Sequence, residues 1–243
     1  MSWHPQNLYN LAQRVRAPDL SRHTVYQKRW AAKKELRAYH VPHITEKQML
    51  NRHTPLRLPN RQMTAAERER MPPLQSAAFA ELERRVDVVV FRSHFASSLT
   101  HARRLVQMGQ VTVNGHVTRF PAQRLEDGDM LGVNPASVPT LAKTVAAPNA
   151  ARDFVPVPFM APWMFTPDYL EVDYPTCTTV LLRSPLPQSG RMEIPSPLPP
   201  TFHQYAYQWA VTFDFACASW LSSLTSSSRR KDWSMLTWRR PCS

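Results

Sequence analysis

Residues 84–133 read RRVDVVVFRSHFASSLTHARRLVQMGQVTVNGHVTRFPAQRLEDGDMLGV, a stretch with a single proline in a chain that carries 23. Just upstream, Ser76 is placed to cap a helix whose apolar residues Phe79, Leu82, Val86 and Val89 or Val90 recur at spacings of three and four. A second helix is predicted from about Ser98 to Gly109, a residue suited to the left-handed turn that closes helices. Leu99, Ala102, Leu105 and Val106 form its apolar face; Thr100, Arg103, Arg104 and Gln107 share the opposite one. β-Branched residues then alternate around Asn114-Gly115, the strongest short-range hairpin signal, because both turn residues must reach positive φ. Asp127-Gly128-Asp129 turns into a third strand over Met130–Val133. The order helix, helix, hairpin, turn, strand predicts an α+β fold: a small domain of two helices packed on a short antiparallel sheet.

Outward from this block the composition changes. The chain has 243 residues, with 30 Lys+Arg against 18 Asp+Glu and a formal net charge of +12. Residues 1–84 carry fifteen basic and seven acidic side chains, so two thirds of the excess lies in the N-terminal third. A field of that sign favours polyanions, since neutralising phosphates releases counterions. Within it Thr24–His40 reads as a helix, with Arg29, Lys33 and Arg37 at i, i+4 and i+8 and Lys28 and Lys34 beside them. Tyr26, Trp30 and Tyr39 are interleaved with these cations, while Val25, Trp30 and Ala31 are expected to face a core. Such a stripe is usually a solvated face; one acid, Glu35, among many cations tilts it toward phosphate contact. Pro72-Pro73 interrupts the basic region, and beyond Asn134-Pro135 the chain is Pro-rich through Pro200, which predicts extended segments and turns rather than long helices. The expected organisation is a basic, helical arm over 1–75, an RNA-binding domain over 76–135, a Pro-rich extension over 136–210, and a poorly ordered tail over 211–243.

Several chemistries are disfavoured. Cys177, Cys217 and Cys242 are far apart and odd in number, which argues against a zinc ribbon or a disulfide scaffold. No apolar run reaches the roughly 18 residues of a membrane span, so no membrane partner is expected. The basic N-terminus suits a mitochondrial targeting segment and an RNA-binding arm equally. The five glycines form no phosphate-cradling loop, so no cofactor, small-molecule substrate or enzymatic activity is expected. His40 and His43 flank Pro42 without converging cysteines or acids, so solvent- or RNA-facing histidines are expected rather than a metal site. Phe202, Tyr205, Ala206 and Trp209 at helical spacing read as a packing face.

Arg85-Val-Asp87, Phe91-Arg92, Ala96-Ser97-Ser98, Ala102-Arg103-Arg104-Leu105-Val106, the Gly109–Gly115 run and Gly128-Asp129 together resemble the RNA-binding domain named after ribosomal small-subunit protein four. Tyr26–Lys33, Arg37–His40 and Thr45–Lys47 before it, and Pro158–Trp163, Tyr169–Val172 and Tyr205–Trp209 after it, resemble the fungal mitochondrial form of that family. The resemblance covers about residues 7–209. It implies a structural constituent of the mitochondrial small ribosomal subunit, in the matrix, with small-subunit rRNA and neighbouring ribosomal proteins as partners. By position it places Arg85, Arg92, Ser93, Ser98, Arg103, Arg104, Asn114, Gly115 and His116 on or near the RNA surface. Thr100, Gln107 and Arg119, and Lys28, Arg29, Lys33, Lys34 and Arg37 of the arm, complete the candidate set. Leu99 stands where many such domains have an arginine, and Asp87 is expected to orient arginines rather than touch RNA. The runners-up are a free-standing RNA chaperone or translational regulator, and an RNA-modifying enzyme. A shifted exon boundary is an alternative account of the tail.

Overall fold

The computed structural model describes residues 1–13, 19–49, 79–138, 165–185 and 192–211. Ser76, Pro72-Pro73, Pro158–Trp163 and the tail from 212 onward lie outside the described residues.

The arm contributes α1 (Pro5–Gln13), α2 (Val25–His40) and one turn, α3 (Glu46–Gln48). Helix α2 begins where a capping box allows it. Thr24 Oγ1 accepts from the Gln27 amide at 3.4 Å, and Gln27 Oε1 accepts from the Thr24 amide at 3.0 Å. Its phase departs from expectation: Ala32, Lys33, Leu36 and His40 are the buried positions, Ala31 is half-buried, and Val25 and Trp30 are 57% and 45% exposed. The reason is the partner. Ala32 and Leu36 join a core with Phe202, Ala206 and Tyr207 of a helix over residues 200–211, and with Phe79, Leu82 and Ile194. Phe202, Ala206 and Trp209 are thus buried packing residues, and Tyr205 packs against the cluster that holds Phe202 and Ala206.

The central block opens with two short helices rather than one, α4 (Ala80–Glu83) and α5 (Val86–Arg92). Arg85 between them is extended, at φ −76° and ψ 139°. The break is sustained by the chain that follows the hairpin. The amides of Val86 and Asp87 donate to the carbonyls of Gln123 (3.0 Å) and Pro121 (3.3 Å), and the Leu125 amide donates to Arg84 O at 2.9 Å. Amides that a continuous helix would bond to its own preceding turn are satisfied from outside instead.

Helix α6 (Leu99–Gln107) is capped by Ser98, whose Oγ accepts from the His101 amide at 3.1 Å. It closes at Gly109, φ +72°, with the Gly109 amide donating to Val106 O and the Gln110 amide to Leu105 O, the paired bonds of a Schellman ending. Strands β1 (Val111–Val113) and β2 (His116–Thr118) meet through Asn114 and Gly115, both at positive φ. Strand β3 (Met130–Val133) pairs antiparallel with β1, placing Gly132 opposite Thr112; a Cβ at Gly132 would lie 2.9 Å from Thr112 Oγ1.

The sheet continues past the residues that announce it. Strands β4 (Leu170–Asp173) and β5 (Thr178–Leu181), from the Pro-rich extension, add to β3 and give a five-stranded antiparallel sheet in the order β2-β1-β3-β5-β4. Its inner residues Val111, Val113, Leu131, Val133 and Leu181 pack with Phe91, Phe95, Ala102 and Val106. The first residues of the chain belong to this core as well: Trp3 and Leu8 are buried in it, and the Trp3 amide donates to Ser97 O at 2.8 Å.

Candidate nucleic-acid interface

The polar face of α6 borders an open groove of about 430 Å³ lined by Ser98, Thr100, His101, Arg103, Arg104 and Gln107. One of these side chains, Arg103, reaches a buried acid. Asp87, with no solvent exposure, takes a two-point contact from Arg85 (Nε to Oδ1 3.0 Å, Nη2 to Oδ2 2.7 Å), and Arg103 Nη1 lies 3.5 Å from its Oδ2. His43 Nε2 lies 3.7 Å from the same oxygen. Burial, joined by repulsion from Arg103 and Arg85 and opposed by Asp87, lowers the His43 pKa to about 4, so this imidazole is neutral near pH 7. One buried carboxylate therefore steers two guanidiniums and cancels only one of their charges, leaving Arg103 half-buried and aimed while Arg104 stays exposed.

The candidates divide cleanly by burial. Thr100, Arg104, Gln107, Asn114, Gly115, His116 and Arg119 are exposed, and Ser98 and Arg103 are half-buried at the groove. Arg85, Arg92 and Ser93, expected at the surface, are inside: Arg85 is committed to Asp87, Arg92 to Glu83, and Ser93 Oγ donates to Val89 O at 2.8 Å. They support the surface from beneath. Asn114 is exposed but occupied, its Nδ2 donating to Asp129 Oδ1 at 2.8 Å while its Oδ1 accepts from the Met130 amide at 3.0 Å. In the arm, Lys33 is buried, pairs with Glu46 and lies 4.2 Å from the Trp209 ring centroid. Arg29 donates to Gln208 (3.3 Å) and Arg37 to Ile44 O (3.0 Å), both half-buried, as is Lys28; Lys34 is exposed. The i, i+4, i+8 cationic stripe is therefore largely turned into an interface within the chain.

A second acid, Glu83, was absent from the candidate set. It is buried and receives Arg92 Nε and Nη2 at 3.0 Å each and the Tyr169 hydroxyl at 2.9 Å, with His40 Nδ1 at 3.5 Å. Burial opposes its ionisation, but the Arg92 guanidinium and the hydrogen bonds from His40 and Arg92 prevail and hold its carboxyl well below the usual range. Arg92 also donates to Pro195 O at 3.0 Å. His40 thus faces Glu83 while His43 faces Asp87, which separates the two histidines and corrects the expectation that His40 is solvent-facing.

Residues 84–131 match the model of the S4 domain family. The chain is 33% identical to the small ribosomal subunit protein uS4m of Schizosaccharomyces pombe, over 86% of this chain and 76% of that protein. This chain belongs to the uS4 family. Bacterial uS4 proteins align over a smaller part. Those of a Ruegeria species and of Methylorubrum extorquens are 34% and 35% identical, each over 48% of this chain and 49% of the relative.

In this uS4 chain the family's S4 domain spans α5, α6 and the three strands β1–β3, while Glu83 just ahead of it is where three parts of the sequence meet: arm (His40), domain (Arg92) and extension (Tyr169, Pro195). The signal that would have found it is the pairing of acids with basic residues at Glu83/Arg92 and Arg85/Asp87. Without the fold, that pairing looks the same as two arginines free for phosphate.

Proposed function

We propose that this uS4-family chain is a non-catalytic constituent of the mitochondrial small ribosomal subunit, bound to small-subunit rRNA in the matrix and to neighbouring ribosomal proteins, where it helps assembly. The supporting observation is the α6 groove. Half-buried Arg103, steadied by the buried Asp87, lines the groove beside exposed Arg104, with Thr100 and Gln107 as further hydrogen-bonding groups on the same face. Two guanidiniums on a rigid, capped helix suit bidentate contacts to backbone phosphates at a folded RNA junction, where shape and phosphate position carry recognition. The exposed Gly115-His116 tip and Arg119 extend this surface, and the arm's half-buried Lys28 and exposed Lys34, rather than the internally bonded Arg29 and Arg37, fasten adjacent RNA.

Binding of the full chain to small-subunit rRNA as a function of salt tests the assignment. Replacing both Arg103 and Arg104 by Ala is expected to weaken binding and to flatten log K against log salt by roughly one to two units, close to one unit per lost phosphate contact. A folded double variant with unchanged affinity and slope would remove the groove from the interface.

A further inference from the structure

Helix α2 exposes rings as well as cations. Tyr26 is 66% exposed and Trp30 45%, on a helix whose opposite side is already packed through Ala32 and Leu36. Tyr26, Trp30 and Lys34 follow one another at four-residue intervals and so share one side. The rings are held in place by neighbours. Tyr26 leans on Trp209, centroids 5.2 Å apart at 58°, and Trp209 has Lys33 Nζ 4.2 Å from its centroid. Lys34 Nζ lies 5.3 Å from the Trp30 centroid. The outcome is a line of two exposed rings and an ammonium group, with Tyr26 braced by Trp209 of the helix over residues 200–211 and Lys34 beside Trp30.

The charge around this line selects its partner. An apolar protein surface laid on Tyr26 and Trp30 would bury Lys34 beside it without a counter-charge. Glu35, the acid of α2, sits about 140° round the helix axis from Trp30 and offers no compensation there. A nucleotide supplies both complements at once, a flat base for the ring and a phosphate for the ammonium.

We infer that Tyr26 and Trp30 form a stacking platform for an unpaired base of RNA, with Lys34 on the adjoining phosphate. This rests on the RNA-binding reading above and adds a distinct ligand: single-stranded nucleotides here, the folded backbone at the α6 groove.

The test uses the full chain with a short oligoadenylate and with a blunt RNA duplex of equal length. Trp30→Ala is expected to weaken oligoadenylate binding roughly tenfold, with duplex binding changed less than about twofold; Trp30→Phe retains most of the affinity because a ring remains. The Arg103→Ala/Arg104→Ala variant reports the other site separately and is expected to keep the response to Trp30→Ala. Ultraviolet crosslinking of the unmodified chain to oligoadenylate needs no variant, and is expected to leave nucleotide adducts on the peptides holding Tyr26 or Trp30. A folded Trp30→Ala chain with unchanged oligoadenylate affinity, or adducts confined to other peptides, overturns the platform. So does chemical crosslinking in purified small subunits that joins residues 26–34 only to another protein.

Discussion

At the residue scale, the two buried acids carry different duties. Asp87 holds Arg85 and meets Arg103, whereas Glu83 ties arm to extension. Removing either carboxylate leaves a buried guanidinium without its counter-charge, a loss of roughly 3–5 kcal/mol. Asp87→Ala and Glu83→Ala are each expected to lower thermal stability by that order in denaturant melts; a change below about 1 kcal/mol would contradict these roles. Charge matters more than shape here, so Glu83→Gln is expected to be nearly as damaging. Histidines add a pH dependence. Burial holds His203 at about 3 and lowers His43 to about 4, so both are neutral in the folded chain and take up protons on unfolding near pH 6.5. Protons then favour the unfolded state as pH falls. The contribution of these two histidines is expected to be flat above about pH 7 and to decline from about pH 6.5 toward pH 4, with the decline shallower in His203→Leu. A melting temperature that rises on acidification through that window would refute the assignment.

At the scale of elements, the hairpin and α6 were legible because their signals are local. Ser98, Gly109 and Asn114-Gly115 act within a few residues of themselves, and each takes the backbone conformation its type favours. The break between α4 and α5 was not legible, since the carbonyls that sustain it come from Pro121 and Gln123, more than thirty residues away. Strands β4 and β5 were hidden for a related reason: four residues each, in a Pro-rich stretch, they become strands only as β5 pairs with β3 and β4 with β5. The phase of α2 failed similarly, because a helix covered on one side by another chooses its buried stripe by partner, and Lys33 packs inward on Trp209. Among the candidates, Arg85 and Arg92 read as surface arginines because their carboxylate partners Asp87 and Glu83, though close in sequence, give no local sign that they are buried. The hairpin also supports a prediction. Asn114→Ala removes both side-chain bonds to Asp129 and Met130 and strains a residue at φ +50°, so a destabilisation of about 1–2 kcal/mol is expected by chemical denaturation. A neutral result would show that the turn is held by Gly115 alone.

At the scale of the molecule, arm and extension fold around the S4 domain as parts of its cores. Trp3 and Leu8 fill the central core, while Leu36, Phe202 and Ala206 build the second one against Leu82. Trp3→Ala is therefore expected to cost about 3–5 kcal/mol although it lies at the start of a basic arm, measurable as a lowered melting temperature. Charge and core meet here: internal acids fix some arginines as struts, while Arg104, Arg119 and Lys34 stay exposed. The most direct test is sedimentation of the tagged chain from mitochondrial lysates. The intact chain is expected to co-migrate with the small-subunit rRNA, and Arg103→Ala/Arg104→Ala to shift toward the slow fractions. Migration of the intact chain only as a small, RNA-free species would contradict the account.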